Sequence, residues 1–376
     1  MYRSLHIICA NLPWPTNCSA SIEVLNRIKA FQQSGVAIHL HYFSDGTQSV
    51  FPPALGAICA SVNVYKKNPV FKSFSLKLPY PFLAHVNTKL ISTLQKDNHP
   101  ILFEGLRVTG ILEHINTGNR KICVRIHKDE VIHNKELSRA AVNPLRKIYY
   151  KAGSSFVNKY IGSLVADISF ACITKSDCLR MREGGFDKAF HIPAFSNWQE
   201  VNCPDGIGNL CLFHGDLSEA ENEKAALWLL CNVFNKVRVP FVIAGKKPSR
   251  RLRKTAELCQ HTCVVSDPTD QELDDLIHKA HINVLPFLCK NITGSRLKLL
   301  HALYKGRHCV VNPAMVEGTG LEEACHIGKN SNAIASIISQ LYYQPFNEEE
   351  IILRKNLLYK EYNNEENLER FTDLLW

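Results

Sequence analysis

Short apolar runs alternate with amphipathic stretches along the chain. The first apolar run, at 5–10, precedes a Pro-rich turn, and residues 20–33 then place apolar side chains at helical spacing. Gly35 ends that pattern, and a second apolar run at 36–43 follows it. Such alternation predicts an α/β fold with parallel, doubly wound sheets.

The same alternation continues through both halves of the chain. Further strands are predicted at 101–103, 122–126, 167–174, 210–215, 241–245, 262–265, 281–286 and 309–312. Helices are predicted at 145–164, 221–234, 270–279 and 296–304, and in the charged tail at 348–376. Residues 187–209 are rich in Pro, Asn and Gly, which predicts an interdomain linker.

This pattern predicts two domains and a tail. A chain of 376 residues with 45% apolar content can bury more than one core. We expect an N-terminal Rossmann-like domain at 1–200, a second one at 201–346 and a helical tail at 347–376. The ligand of such domains binds in a cleft at the carboxyl ends of the strands. The C-terminal helix is expected to pack back toward the first domain.

Cysteine usage and the lengths of the apolar runs predict a cytoplasmic protein. The 14 cysteines are scattered without a C-x-x-C pair, as is typical of reduced thiols. Cys259, His261 and Cys263 form a local cluster, but a second ligand pair at zinc-site spacing is missing, so no metal site is predicted. No apolar run approaches the ~20 residues of a membrane-spanning helix, and the run at 5–10 is too short for a signal peptide.

Charge divides the chain unevenly. Residues 1–200 hold 24 Lys+Arg and 13 Asp+Glu, a net charge of +11, whereas residues 201–376 hold 20 and 22, a net charge of −2. A basic first domain indicates an anionic partner, either a membrane surface that carries a lipid-linked substrate or a nucleic acid. A solvated basic surface without a partner is the alternative. Nucleic acid is the weakest of these because the basic residues are dispersed and lack interleaved aromatic residues.

Two cations, Arg296 and Lys298, open the predicted helix at 296–304. Cations at a helix N-terminus oppose the helix dipole, which favours anions there. Their placement is explained if a bound anion such as a diphosphate meets the backbone N–H groups and both side chains. The alternative is that both cations point into solvent.

An ordered series of motifs resembles a known family. The series runs through a glycine after the strand at 210–215, a helix at 222–229, and segments 243–248, 270–280, 283–300 and 310–318. Residues 213–338 are similar to the donor-binding domain of GT-B glycosyltransferases of the retaining GT4-type group, glycosyl transferases group 1. Segments 11–15, 104–105 and 125–130 resemble the acceptor domain of that group more loosely.

The resemblance implies that a sugar moves from a nucleotide-diphosphate sugar, a UDP- or GDP-sugar, to a glycan or lipid-linked acceptor, as in surface polysaccharide synthesis. It implies no cofactor and no divalent metal. Arg296 and Lys298 would neutralise the diphosphate leaving group. His127 would hydrogen-bond the donor sugar or the acceptor hydroxyl, and an imidazole suits proton transfer near neutral pH. The alternative for His127 is a loop histidine that caps the following helix.

The resemblance also assigns residues to the two substrates. Donor binding falls on Gly215, Gly245, Lys246, Gly294, Ser295, His301, Glu317 and Gly318. The acceptor side falls on Asn17, Ser19, Glu104, Arg125 and Glu130. If the first domain contacts an anionic membrane, the protein would be peripheral at the inner face of that membrane.

Three departures from the family pattern leave other functions open. Retaining members carry two glutamates seven residues apart, where this chain has Gly294 and His301, and a neutral His offers one acceptor nitrogen to a ribose. Residues 17–20 lack the glycine usual in the N-terminal loop, and the lone G-x-G at 318–320 is not a dinucleotide fingerprint. A degenerate protein of the same fold that only binds a sugar nucleotide or glycan is one alternative. An epimerase is another, but its extra carboxylates cannot be placed.

Overall fold

The computed structural model describes residues 3–14, 19–45, 52–69, 80–141, 143–164, 167–288 and 296–376. The chain forms two compact units. The first contains the described residues up to Asn197 together with Asn364–Trp376, and the second contains the described residues from Trp198 to Asn363. Within these ranges, no helix is both long enough and apolar enough to span a bilayer.

The first unit is built on a parallel sheet of seven strands in the order β3-β2-β1-β4-β5-β6-β7. The strands are β1 (Ser4–Cys9), β2 (Ala37–Ser44), β3 (Ser61–Lys66), β4 (Ile101–Glu104), β5 (Ile122–Ile126), β6 (Ile168–Cys172) and β7 (Ala189–His191). Its helices are α1 (Ser19–Gln33), α2 (Pro53–Ile58), α3 (Tyr80–Leu83), α4 (Thr88–Leu94), α5 (Glu130–Ala140), α6 (Pro144–Ser163) and α7 (Lys175–Glu183), with a 3₁₀ helix at Leu106–His114.

The second unit is built on a parallel sheet of six strands in the order β10-β9-β8-β11-β12-β13. The strands are β8 (Cys211–His214), β9 (Phe241–Gly245), β10 (Thr262–Ser266), β11 (Ile282–Val284), β12 (His308–Val311) and β13 (His326–Ile327). Its helices are α8 (Ala220–Asn232), α9 (Arg250–Glu257), α10 (Asp270–Lys279), α11 (Leu297–Lys305), α12 (Pro313–Val316), α13 (Ser331–Leu341) and α14 (Glu348–Tyr362), with a 3₁₀ helix at Glu322–Ala324.

The last helix, α15 (Asn364–Leu375), packs in the first unit, as the sequence predicted. Phe371 and Leu375 are fully buried in the core that lies between α1 and the sheet. The ring of Phe371 meets Phe31 of α1 edge-on at 6.1 Å and also lies 5.3 Å from the guanidinium of Arg27. Burial of these apolar side chains fixes the tail helix to the first unit.

Three strands were not predicted, and each lies at or near a sheet edge. Strands β3 and β13 are the edge strands of their sheets, and β7 is the opposite edge of the first sheet. Edge strands bury fewer side chains, so they lack the continuous apolar run of a central strand. Strand β7 also falls inside the predicted linker at 187–209. Because Ile192, Ala194 and Phe195 are buried as well, the linker prediction is wrong for 189–195.

Candidate functional site

In the first unit, the carboxyl ends of β4 and β5 bring Glu104 and His127 together. Glu104 is the last residue of β4, where it pairs with Arg125 of β5, and His127 follows the end of β5 directly. The Nε2 atom of His127 lies 2.9 Å from Oε2 of Glu104. The imidazole is 19% exposed, whereas the Glu104 side chain is buried. One face of this pair therefore reaches solvent at the sheet edge where α/β proteins bind ligands.

Beneath His127 lies a buried network of four charged side chains. Glu23 and Arg27 come from α1, Glu104 from β4 and Arg125 from β5. Arg27 donates through Nη1 to Glu23 and through Nη2 to Glu104. Arg125 donates to Oε1 of Glu23 at 2.7 Å and to the carbonyls of Ile192 and Pro193 at 2.6 and 3.0 Å. Two carboxylates and two guanidiniums thus balance one another in the core.

The electrostatics keep both carboxylates of this network ionised. Burial raises the pKa of Glu23, but Arg125, Arg27 and His127 outweigh that cost and bring the pKa down to about 2. Burial also raises the pKa of Glu104, and Arg27 with His127 brings it below its ordinary value. Glu23, Glu104 and His127 each offer one ligand atom to a common point. Two guanidiniums already supply the countercharge there, which disfavours a metal cation.

The network fixes the tautomer of His127. A carboxylate oxygen accepts, so Nε2 of His127 carries the proton that it donates to Glu104. The other ring nitrogen, Nδ1, lies 3.6 Å from Oε2 of Glu23, which is longer than a hydrogen bond. In the neutral imidazole Nδ1 therefore holds the lone pair that could accept a proton. The helix-capping alternative is excluded because Asp129 caps α5 and accepts from the N–H of Ile132 at 3.0 Å.

Of the remaining acceptor-side predictions, Arg125 and Glu130 have described side chains. Arg125 is fully buried, so it can position Glu23 but cannot touch an acceptor. Glu130 is the first residue of α5 and pairs with Arg107 at 3.2 Å. Asn17 lies outside the described residues, and Ser19 is described only as the first residue of α1.

In the second unit, Arg296 stands at the N-terminus of α11. It is the N-cap residue of that helix and is 7% exposed, so its guanidinium does not point into solvent. The guanidinium lies 4.3 Å from the ring centroid of Phe287, a cation–π contact. The side-chain amide of Asn312 holds the backbone of Phe287 through two hydrogen bonds of 2.8 Å. Residues that follow β11 and β12 thus fix the platform on which Arg296 rests.

Lys298 lies two residues after Arg296 and contacts residues at and after the end of β8. Its Nζ donates to Oδ1 of Asn222 at 2.8 Å and lies 5.5 Å from the ring of Phe213. The amide of Asn222 donates in turn to the carbonyl of Asp216 at 2.9 Å. A Cβ at Gly215, whose φ is +155°, would lie 3.2 Å from the Asn222 amide. The glycine therefore lets Asn222 approach the chain and position Lys298.

Gly245 and Lys246 follow the same edge of the sheet. Gly245 ends β9, and a Cβ there would lie 1.9 Å from the carbonyl oxygen of Gly215. Only glycine permits this contact between the ends of β8 and β9. Lys246 is half-buried, and its carbonyl accepts from the N–H of Leu217 at 3.0 Å. Gly215 and Gly245 thus let the carboxyl ends of β8 and β9 lie close together.

His301 of α11 lies in an aromatic and acidic setting. Its Nε2 is 2.6 Å from Oδ1 of Asp274 on α10. Its ring stacks on Trp198, with centroids 4.3 Å apart and planes 19° apart, and meets His214 edge-on at 5.6 Å. Hydrogen bonding to His301 lowers the pKa of Asp274. A carboxylate therefore does lie at this position, although it comes from the neighbouring helix.

The last predicted donor residues divide into two groups. Glu317 is exposed at the C-cap of α12, and Gly318, with φ of +75°, turns the chain directly after it. Gly294 and Ser295 lie outside the described residues. Glu317 thus ends the short helix α12, whose N-cap residue is Asn312.

Sequence reasoning missed several residues that build these sites. Glu23 and Arg27 are spaced i,i+4 in α1, and such a pair usually lies on an exposed helix face. The sequence feature that could have indicated their burial is that Glu23 precedes Val24 and Arg27 precedes Ile28, two apolar residues that are buried. Asn222 stood in the family pattern as a helix residue only, and Asp274 carried no separate signal.

Residues 208–344 match the model of the family described as glycosyl transferases group 1. This match confirms the resemblance predicted for the C-terminal half. A protein of Klebsiella pneumoniae, described as an uncharacterized 44.6 kDa protein in the cps region, is 24% identical over 336 residues. The aligned part covers 84% of each chain.

Solved structures resemble the whole chain in fold. Sucrose-phosphate synthase from Thermosynechococcus elongatus superposes with a TM-score of 0.70 at 13% identity and covers 99% of this chain and 98% of its own. S. aureus TarM, in complex with fondaparinux, α-GlcNAc-glycerol and UDP, gives 0.66 at 12% identity and covers 99% of both chains. The E. coli trehalose-6-phosphate structure bound with UDP-2-fluoro glucose gives 0.60 at 10% identity and covers 98% of both. The GT-B fold of two Rossmann-like domains is thereby confirmed.

Proposed function

We propose that this chain is a nucleotide-sugar-dependent glycosyltransferase that transfers a hexose to a glycan or lipid-linked acceptor in surface polysaccharide synthesis. The family of residues 208–344 and the cps-region relative support this activity and this process. The observation that carries the proposal is the pair of positioned cations, Arg296 and Lys298, at the N-terminus of α11. The donor would be a UDP- or GDP-sugar, and its diphosphate would bind there.

The second unit supplies what a diphosphate leaving group requires. When the bond between the anomeric carbon and the diphosphate oxygen breaks, negative charge develops on the phosphate oxygens. The first N–H groups of α11 and the cations of Arg296 and Lys298 would stabilise that charge. Phe287, Asn222 and Asn312 hold the cations in place before the donor binds, so little reorganisation is needed. TarM and the E. coli structure hold UDP or a UDP-sugar. No metal is needed in this scheme.

His301 and Asp274 offer an account of nucleoside recognition. A family glutamate at this position would accept from ribose hydroxyls, and here Asp274 supplies the carboxylate while His301 orients it. The Trp198 ring stacked on His301 adds a flat apolar surface beside this pair. We assign the Asp274–His301 pair to the donor nucleoside on this ground.

On the first unit, His127 would act on the sugar or on the acceptor hydroxyl. Glu104 holds its Nε2 proton, which leaves the lone pair of Nδ1 to accept the hydroxyl proton. The acceptor oxygen would then bond to the anomeric carbon on the same face from which the diphosphate leaves, as retention of configuration in one step requires. A retaining outcome is adopted from the family resemblance alone. Glu23, Arg27 and Arg125 serve as positioning residues, since they are buried beneath the imidazole.

Release of nucleotide diphosphate from a panel of sugar nucleotides tests this function. The purified chain, supplied with an oligosaccharide or lipid-linked acceptor pool, should release one nucleotide diphosphate for each sugar transferred. The release should be much slower in His127→Ala and Arg296→Ala. Release without a glycosylated product would indicate hydrolysis. A chain that binds a sugar nucleotide without releasing nucleotide diphosphate would support the degenerate binder. The absence of the family glutamate at position 301 favours that alternative.

Peripheral contact with an anionic membrane is a second part of the proposal. Helix α6 exposes Leu145, Ile148 and Tyr149, which are 76, 66 and 61% exposed. Arg146, Lys147 and Lys151 lie among them and are exposed as well. Apolar side chains beside cations are typical of helices that lie in a membrane interface. This surface, residues 145–151 of α6, would bring the first unit to a lipid-linked acceptor at the cytoplasmic face.

Sedimentation with vesicles tests the α6 surface. Vesicles rich in anionic lipid should bind the chain, and binding should weaken as salt rises because exposed charges are screened. Ile148→Asp should reduce binding, whereas Leu258→Asp changes an even more exposed apolar residue in the second unit and should leave binding unchanged. Equal binding to neutral and anionic vesicles would contradict the electrostatic part.

A further inference from the structure

The amino ends of β12 and β13 carry a cluster outside the proposed donor site. His308 is the first residue of β12, His326 is the first residue of β13, and Glu350 lies in the first turn of α14. The proposed donor residues lie at the carboxyl ends of the strands in the same sheet, so the cluster lies at the opposite end of these strands. We propose that His308, His326 and Glu350 bind one Zn²⁺ ion that joins β12, β13 and α14.

The three ligand atoms already stand at the spacing of a metal site. Nδ1 of His308 lies 3.2 Å from Nε2 of His326. Oε1 of Glu350 lies 3.5 Å from the former and 3.7 Å from the latter. Bonds of about 2.1 Å in a tetrahedral zinc site place ligand atoms about 3.4 Å apart. One ion can therefore reach all three atoms with small adjustments.

Neighbouring groups orient each of the ligands. His308 is fully buried, and its Nε2 lies 3.0 Å from the carbonyl oxygen of Gln344, which can only accept. The proton of a neutral His308 therefore sits on Nε2, and the Nδ1 lone pair faces the cluster. Oε2 of Glu350 accepts from the N–H of Asn347 at 3.3 Å, so Oε1 turns toward the imidazoles. Metal-bound histidines and carboxylates are commonly held by such outer contacts.

Without a cation, the cluster has too few protons. Nδ1 of His308 and Oε1 of Glu350 are both acceptors. Of the three ligand atoms, Nε2 of His326 is therefore the one that can carry a proton for the other two. A divalent cation would satisfy all three lone pairs at once.

The donor set and its surroundings indicate the class of metal. Two imidazoles and one carboxylate suit Zn²⁺ better than Mg²⁺ or Ca²⁺, which prefer oxygen ligands. The side chains of His326 and Glu350 are 34 and 29% exposed, which gives an ion a path from solvent and room for a water as fourth ligand. The nearby cation of Arg354 opposes a second cation, but the carbonyls of Gly306 and Arg307 hold it. The charge of Glu350 offsets this opposition.

The consequence would be structural. Strand β13 has two residues and pairs with β12 at two positions, Val310 with His326 and Val311 with Ile327. An ion bound by both strands and by α14 would fix this short edge strand. The bound ion would leave the metal-free transfer scheme unchanged, because the cluster and the proposed donor residues lie at opposite ends of the strands.

Titration of the full, chelator-treated chain with Zn²⁺ tests the site. We expect one Zn²⁺ per chain and a higher unfolding temperature with Zn²⁺ but not with Mg²⁺. His326→Ala and Glu350→Gln should weaken binding by about 100-fold or more, since the loss of an outer partner alone costs 10–100-fold. His278→Ala and Glu349→Gln remove an exposed imidazole and a neighbouring exposed carboxylate, and they should bind as the unmodified chain does.

Two results would overturn the proposal. One is an unmodified chain that binds no Zn²⁺. The other is binding that persists with equal affinity in His326→Ala and Glu350→Gln, which would assign the ion to other residues. If a variant fails to fold, the unfolding temperature of the unmodified chain with Zn²⁺ and with Mg²⁺ still tests the proposal. An equal effect of both ions would contradict a site built from imidazoles. Loss of the site would not affect nucleotide release, so this test is independent of the proposed function.

Discussion

The two units hold their positive charges in different ways. In the first unit, Arg27 and Arg125 are buried and pair with Glu23 and Glu104, so the charges balance within the core. In the second unit, Arg296 rests on the ring of Phe287, and Lys298 rests on an amide and the ring of Phe213. An aromatic face or an amide attracts a cation without neutralising its charge.

This difference separates positioning from ligand binding. A guanidinium that is fully paired with carboxylates can orient its partners but has little attraction left for a substrate anion. The contacts of Arg296 with Phe287 and of Lys298 with Asn222 hold both cations near the carboxyl ends of the strands, where we propose that the anionic diphosphate binds. In the proposed function, arginine in the first unit would position His127, and the cations of the second unit would receive a diphosphate. The predictions below test each half of this contrast.

The largest effect is expected from the buried network. Glu23→Gln should destabilise the first unit by about 3–5 kcal/mol because it leaves two buried guanidiniums short of a partner. Glu366→Gln is the matched control: it removes one carboxylate of an i,i+4 pair with Arg370 in the same unit, but on the surface. That change should cost about 1 kcal/mol or less. Denaturant unfolding measures both, and equal costs would contradict the structural role.

A comparison of the unmodified chain with Glu23→Gln also gives a pH test. The pKa of Glu23 is about 2 in the folded protein, below its ordinary value of 4.5. Its contribution to the free energy of unfolding is therefore complete above pH 4.5 and is lost as the pH falls toward 2. The stability difference between the unmodified chain and Glu23→Gln should shrink over this range. Buried histidines with lowered pKa titrate in both chains, so they cancel in the difference.

The next effect is on chemistry. His127→Ala should slow transfer by about 10³-fold, the range of general acid–base catalysis, and should leave nucleotide binding unchanged. His114→Ala changes an exposed histidine at the end of the 3₁₀ helix in the same unit, serves as the control and should transfer at the normal rate. Steady-state kinetics with a binding titration separate the two effects. Loss of nucleotide binding in His127→Ala would move this residue to the donor.

Arg296→Ala should reduce turnover by about 10²-fold, since it removes one group that stabilises the leaving diphosphate. Arg250→Ala is a close control because Arg250 also lies at a helix N-terminus of the second unit but is exposed. Its turnover should not change. An unchanged rate in Arg296→Ala would contradict its role at the leaving diphosphate.

The smallest effect concerns the nucleoside. Asp274→Asn should weaken sugar-nucleotide binding by about tenfold, the size of one hydrogen bond to a charged group. Asp275→Asn changes the adjacent, exposed residue, which accepts from Gln271 at 3.0 Å, and should bind normally. Competition titration measures both affinities. Unchanged binding in Asp274→Asn would leave His301 without a nucleoside role.

Sequence patterns predicted the central strands well but could not predict the buried network. Strands β5 and β9 have the predicted bounds because continuous apolar runs mark strands that are buried on both faces. The edge strands β3 and β13 were missed because solvent relaxes that pattern. Glu23 and Arg27 were missed because their partners Glu104 and Arg125 are distant in sequence, and local spacing cannot show that a charged pair will be buried.

The site residues show the same limit. Arg296, Lys298 and His127 were proposed because local features singled them out, namely a helix start and the end of a strand. Asp274 was missed because its relation to His301 depends on the packing of α10 against α11. Local features can therefore suggest candidate residues, whereas the contacts that hold those residues in place require the fold.

Thermal unfolding with a panel of UDP- and GDP-sugars tests the central claim, that Arg296 and Lys298 bind the donor diphosphate. At a concentration 100 times its dissociation constant, the true donor should stabilise the chain by about 2.7 kcal/mol. The stabilisation should be lost in Arg296→Ala, and it should be kept in Arg250→Ala and in His127→Ala. Absence of stabilisation by every sugar nucleotide, or equal stabilisation of Arg296→Ala and the unmodified chain, would contradict the account.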